Sequence, residues 1–156
     1  MKRVVYLAGF ISTDHPETIA WRERVTPILE EAGFEVRNPL AGKGNLKCCT
    51  KDGGITTSIT TNKSIVLRDR RDVRESDIIL AHLENFGSTR PLVGTLVELG
   101  WAWDDQTPVV AVAEPTNYLM LNHPFISEFV TQYWDTLDQA VDFIIRYYGS
   151  KPTTGA

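Results

Sequence analysis

The chain has 156 residues, 42% of them hydrophobic and 23% charged, which suits one globular domain with a substantial core. A formal charge of -4 speaks against a broad nucleic-acid-binding face, and no apolar stretch approaches the length of a membrane span. The two cysteines, Cys48 and Cys49, are neighbours, which suits neither an internal disulfide nor a CxxC unit and fits a reducing, cytoplasmic setting.

Arg3 to Gly9 form a continuous apolar run ended by glycine, the pattern of a buried parallel strand. His15 to Phe34 read as a helix, with Pro16 near its start, Gly33 just past its end, and Pro27 as a kink or an early stop. Its Arg22 and Glu23 fall to a polar face, apart from Ile19 and Leu29. Phe34 to Leu40 give a second short strand. Residues 41–61 lack periodicity and carry Gly, Thr and Lys, so a long loop is expected there, as a lid or a mobile excursion. A helix over Asn62 to Glu75 precedes a strand over Asp77 to Leu83. The loop Glu84 to Leu92 leads to a helix that contains Glu98, and Thr107 to Ala113 make the next strand. After a less regular stretch, Tyr133 and Trp134 form a last short strand. A closing helix runs to Gly149 with Asp135 as its cap. One domain over residues 1–150 and a flexible tail over 151–156 result.

Strands alternating with helices predict a single-domain α/β fold, a three-layer, doubly wound parallel sheet of about five strands, flavodoxin- or Rossmann-like. Ligands in such sheets sit beyond the carboxyl ends of the strands. That rule nominates Ala8 to Thr13, Asn38 to Leu40, and the segments after Leu83 and Ala113.

The P-loop, GxGxxG, HExxH and G-x-S-x-G patterns are all missing, and His15, His82 and His123 are too far apart to suggest a metal site. Carboxylates remain. Asp69 and Asp72 are i and i+3 neighbours on a helix and are placed to point at one spot, or else to join Arg68, Arg70, Arg71 and Arg74 in a solvated, salt-bridged surface. Glu98 has two readings. With Thr95 it makes a T-x-x-E capping box; alternatively it projects from the first turn of its helix at the ligand edge, where the positive helix end favours its ionised form. Gly94 and Gly100 beside it permit close approach. Among the aromatics Trp21 and Trp103 read as packing, and Phe10, just beyond the first strand, is the one placed to stack on a ligand.

The segments "VVYLAGFI", "RDRRDVRESDIILAHL" and "GTLVELGWA", in this order, resemble the nucleoside 2-deoxyribosyltransferase family and the related 2'-deoxynucleoside 5'-phosphate N-hydrolases. The resemblance implies that Glu98, in a G-[ST]-x-x-E-x-G motif with Gly94, Thr95 and Gly100, is the nucleophile. It implies that Tyr6, followed by the Ala8-Gly9 turn, hydrogen-bonds that nucleophile. Asp69, which opens a D-x-x-x-[IV]-x-x-x-D pattern with Val73 and Asp77, then contacts the sugar or base, with Asp72 as second choice. Asn117, in the segment Asn117-Tyr118-Leu119-Met120, resembles an asparagine that a neighbouring subunit lends to the sugar. Six residues before the glutamate the transferases carry an Asp for the base and the hydrolases a Ser for phosphate. This chain has Leu92 there, with Ser88 four residues upstream.

The chemistry that the resemblance implies is a covalent deoxyribosyl-glutamate passed to a second nucleobase, without metal or organic cofactor. The partners implied are nucleosides or nucleotides and free nucleobases, no nucleic acid polymer and no membrane, in a homodimer or higher homo-oligomer with shared sites. The alternatives are hydrolysis of a deoxynucleoside 5'-monophosphate, with Arg68, Arg70, Ser88 or Arg90 on the phosphate, and a nucleotide-binding module without turnover.

Overall fold

The computed structural model describes residues 1–12, 14–41 and 61–149, together with the backbone of residues 47–48 and 55–56. In chain order the elements are β1 (Val4–Gly9), α1 (Glu17–Glu31), β2 (Glu35–Arg37), β3 (Lys47–Cys48), β4 (Ile55–Thr56), α2 (Asn62–Arg74) and β5 (Ile78–His82). Next come α3 (Val93–Asp104), β6 (Val109–Val112), α4 (Tyr118–Asn122), α5 (Pro124–Phe129), β7 (Gln132–Trp134) and α6 (Leu137–Tyr148).

Five strands form one parallel sheet in the order β2-β1-β5-β6-β7. The central strands are buried on both sides, which is why they read as unbroken apolar runs rather than as alternation. The period of two still sorts their side chains. Val5, Leu7, Ile78, Leu80, Val110 and Val112 pack with α1 and α6. Tyr6, Ala8, Ile79, Ala81, Val109 and Ala111 pack with α2, α3, α4 and α5. The predicted three-layer, doubly wound fold is therefore the observed one. The chain turns from β1 to β2 on one side and returns to β5 on the other, so the crevice at the carboxyl ends opens between β1 and β5.

Local chemistry explains most element ends. α1 closes in a Schellman motif, in which Phe34 N donates to Leu29 O at 3.0 Å and Gly33 N to Glu30 O at 3.0 Å. Gly33 supplies the left-handed conformation, at φ +97. Pro27 does not end the helix. It lies on the exposed face with Glu23, whose carbonyl is the one a proline leaves without its helical donor. α2 starts at the Thr61 side chain, which accepts from Ser64 N.

Four expectations are corrected. The stretch after β6 holds two short helices, α4 and α5, capped by the Asn117 and His123 side chains. The cap of α6 is Thr136, in a capping box with Gln139, and not Asp135. α3 begins at Val93 with Leu92 as a cap that makes no side-chain bond, so Thr95 and Glu98 do not form a capping box and Glu98 sits in the second turn. Part of the expected loop over residues 41–61 is a short antiparallel pair of β3 and β4; the rest of that expectation, and the frayed tail, lie outside the described residues.

Because φ +97 is strained for any residue with a Cβ, Gly33→Ala is expected to lower stability by about 1 kcal/mol, measured as a shift in the urea midpoint at constant slope.

Candidate active site

The helix stripe that α3 turns toward the sheet is Thr95, Glu98, Leu99 and Ala102. This i, i+3, i+4, i+7 set is an ordinary core stripe except that one member is a carboxylate. Glu98 is 8% exposed, and its Oε2 accepts a hydrogen bond from the hydroxyl of Tyr6, which is fully buried in the middle of β1. Burial, then the carboxylates of Glu98 and Asp69, push the Tyr6 phenol far above its ordinary range. It therefore stays protonated and donates, and a donated hydrogen bond favours the ionised form of Glu98.

Asp69, on α2, is near enough for its charge to act on that phenol, and it lies 3.6 Å from Arg68 Nε. The three residues drawn from β1, α2 and α3 thus converge. Asp72 does not join them. Its carboxylate is turned to β2, where it meets Arg37 Nη1 at 3.1 Å. Two of the four α2 arginines are likewise committed to surface pairs, Arg71 with Glu75 and Arg74 with Asp105. Arg68 donates to the carbonyls of Pro39 and Ala41.

Phe10 is buried on the Tyr6 side of the sheet, with the Arg90 guanidinium 5.7 Å from its ring centre and the His15 ring 6.3 Å away. Ser88 lies in the turn before α3, where its hydroxyl accepts from Arg90 N at 3.1 Å. Thr95 is buried at 4% exposure. Among the described residues, a Cβ at Gly94 would meet nothing within 4 Å outside its chain neighbours and its own helix backbone, so packing against them does not require that glycine. Leu92 is buried among the apolar residues of this face. Asn117 is engaged within its own chain. It accepts from Met120 N and donates to Leu83 O at 3.2 Å and Glu84 Oε1 at 3.0 Å. Trp103, expected in the core, is 49% exposed at the edge of α3.

Sequence reading missed the residues on the other side of β1. Arg22 is fully buried rather than on a polar face, because the inward stripe of α1 is Thr18, Trp21, Arg22, Val25 and Leu29. Its guanidinium donates to Gly9 O at 2.8 Å, Thr18 O at 2.5 Å and Phe10 O at 3.4 Å, which fixes the end of β1. The signal was available as spacing, but an arginine at a stripe position reads as solvated by default.

Gly9 is explained by the same packing. A Cβ there would stand 3.1 Å from the Trp21 ring, 3.2 Å from His82 O and 3.3 Å from Arg22 Nη2. His82, opposite Gly9 in β5, packs against Trp21 with ring centres 5.3 Å apart and planes tilted by 51°. Its Nδ1 accepts from Glu84 N at 3.4 Å, which places the ring proton on Nε2. Burial, then the charges of Arg22 and Arg24, lower its pKa to about 4. Among the described residues no group of His, Cys, Asp and Glu is placed to hold a metal ion, and no helix is long and apolar enough to cross a membrane.

Gly9→Ala is expected to cost about 1–3 kcal/mol in chemical denaturation, since a carbonyl and a buried guanidinium must both give way. His82 gives a pH signature. Between its unfolded value near 6.5 and its folded value of about 4 the unfolded chain binds the extra proton, so stability falls as pH drops through that window. The loss approaches ~3 kcal/mol at the bottom of the window. His82→Phe is expected to flatten that part of the stability–pH curve, measured by urea titrations from pH 7 to 4.

A sequence profile of the family described as nucleoside 2-deoxyribosyltransferase matches residues 5–140. Among solved structures, a conserved protein from Enterococcus faecalis V583 aligns with TM-score 0.66 and 15% identity, covering 94% of this chain and 99% of that one. The 2-desoxiribosyltransferase from Leishmania mexicana gives 0.65 and 18%, covering 94% and 99%. The CMP N-glycosidase of Clostridium botulinum gives 0.60 and 18%, covering 93% and 100%. A sequence comparison with curated proteins found no match. At these identities the structural likeness speaks for the fold, while the profile spans most of the chain: the chain belongs to the nucleoside 2-deoxyribosyltransferase family.

Proposed function

We propose that the protein cleaves the N-glycosidic bond of a 2'-deoxyribonucleoside through a covalent deoxyribosyl-glutamate and passes the sugar to another nucleobase. The observation that carries this reading is the Tyr6–Glu98 pair, a carboxylate at the β1–β5 crevice with a protonated phenol bound to it. A Glu98 carboxylate oxygen attacks C1', and the C1'–N bond breaks with its electron pair leaving on the base nitrogen. Asp69 delivers the proton that the departing base takes up, or holds a sugar hydroxyl. An N–H nitrogen of the incoming base then attacks C1' from the vacated face, the ester C–O bond breaks, Glu98 is restored as the carboxylate, and the proton that the nitrogen sheds returns to Asp69 or passes to water. Two displacements retain the configuration at C1'. Asp69 takes the second role in preference to Asp72, whose carboxylate is paired with Arg37.

Phe10 provides a face for the base, and Gly94, Thr95 and Ser88 border the sugar. In a homodimer or higher homo-oligomer, Asn117 lies at the subunit boundary. The large apolar side chains exposed on α2, α3 and α4, among them Val66, Leu67, Val93, Val97 and Leu119, support such an assembly. A second reading, hydrolysis of a deoxynucleoside 5'-monophosphate, is favoured by Arg90. Its guanidinium lies over Phe10, while Arg68 is occupied by the carbonyls of Pro39 and Ala41.

The test is incubation with deoxyinosine plus adenine, and separately with deoxynucleoside monophosphates in water, followed by chromatography. Deoxyadenosine is the expected product of transfer; free base with deoxyribose 5-phosphate marks the hydrolase. Glu98→Gln is expected to lower kcat by at least about 10³-fold with the fold intact by circular dichroism. Wild-type rates in that variant overturn the nucleophile assignment.

A further inference from the structure

Two loops flank the Tyr6–Glu98 pair at the carboxyl edge: the one after β1, which carries Phe10, and the one between β5 and α3, which carries Arg90. The second is built around a tight turn. Ser88 N donates to Asn85 O at 3.0 Å, Asn85 Nδ2 donates to Ser88 O at 2.6 Å, and Arg90 N donates to the Ser88 hydroxyl at 3.1 Å. Its two central residues, Phe86 at φ +54 and Gly87 at φ +81, are both left-handed. A turn with two such residues favours Asn, Asp or Gly at its first central position, where a bulky side chain is a backbone outlier.

The turn alone gives no reason for phenylalanine, so the reason lies with the ring. The Phe86 ring packs against His82 with centres 4.9 Å apart and planes tilted by 42°, and His82 packs against Trp21 at 5.3 Å and 51°. The Phe86–His82 contact is not sealed in the core. His82, Phe86 and Gly87 line an open cleft on the α6 side of the sheet, so a packing gain alone is only partial. What the turn delivers, two residues past Ser88, is Arg90 over Phe10, on the Tyr6 side. Strain held in place in the segment that leads to Arg90 points to a functional constraint.

We infer that Phe86 is a positioning residue: packed on His82, which is itself held against Trp21, it holds the Asn85–Ser88 turn so that Arg90 closes over Phe10 at the mouth of the Tyr6–Glu98 site. The clamp sets substrate affinity and leaves the chemistry to Glu98. Its catalytic consequence rests on the N-glycosidic activity proposed above; its structural part does not.

Two variants separate the ring from the backbone. Phe86→Gly removes the ring while suiting a positive φ, so the fold and the turn stay accessible; Phe86→Tyr keeps the ring contact with His82. Amide hydrogen exchange at Ser88 and Arg90 is measured alongside kcat and KM for the donor that the wild type cleaves. The expected result is faster exchange at both amides in Phe86→Gly, with KM raised about tenfold and kcat within about twofold, and wild-type behaviour in Phe86→Tyr. Unchanged exchange in Phe86→Gly overturns the clamp. Faster exchange with unchanged KM overturns its role in the site, as does a Phe86→Tyr variant no better than Phe86→Gly. If the wild type cleaves no donor, the failure belongs to the activity, and the exchange result alone decides the clamp.

Discussion

The hydrogen bond from Tyr6 to Glu98 is the constraint around which the α2–α3 side of the molecule is arranged. A carboxylate taken out of water is costly unless a donor meets it, and this donor is fixed at the centre of a strand paired on both sides. α3 must then dock in one rotation. A turn by a single residue, 100° for a helix, would carry Glu98 off the sheet and expose an apolar member of the stripe formed with Thr95, Leu99 and Ala102. The same residues that bury α3 therefore aim its carboxylate. Geometry of the site and packing of the helix are one specification.

β1 carries a comparable arrangement on its other side. Arg22 takes a stripe position in α1 as Glu98 does in α3, and it too is satisfied by β1, through the carbonyls of Gly9 and Phe10. One strand thus supports two buried ionisable groups of opposite sign, one at each face. Burial of a guanidinium is costly unless acceptors meet it, and here the two Nη groups are met by backbone, in part by carbonyls at the end of β1 that would otherwise lack a sheet partner. The consequence is a rigid start to the β1–α1 loop, which is where Phe10 leaves the sheet.

The fold was legible because its central strands are buried on both faces and leave unbroken apolar runs. α4 and α5, of five and six residues, are too short to show a helical period, and they disappeared into an irregular stretch. The two T-x-x-[EQ] patterns are instructive as a pair. Thr136 and Gln139 form a capping box; Thr95 and Glu98 do not, because Val93 and Gly94 are already helical and Glu98 is held by Tyr6 instead. The pattern itself cannot separate them, since the deciding partner is 92 residues away. The same applies to Asp69 and Asp72. Their spacing predicted one target, but a partner on β2 took Asp72, and only the sheet order brings Arg37 there.

Leu92 bears on how this chain selects what it binds. The resemblance leads one to expect a polar residue at that position, six before Glu98, and here an apolar side chain is packed into the core at 4% exposure. The cap of α3 therefore offers no side chain for a base or a phosphate. Ser88 and Arg90 lie just upstream in the segment that precedes the helix, and of these Arg90 extends to the aromatic face of Phe10. A hydroxyl or carboxylate on a helix end is fixed by the helix. A guanidinium on a turn is fixed only as well as the turn is. On the reading proposed above, recognition through Arg90 needs that turn to be rigid, and this is a physical reason for a left-handed phenylalanine packed on a buried, uncharged histidine.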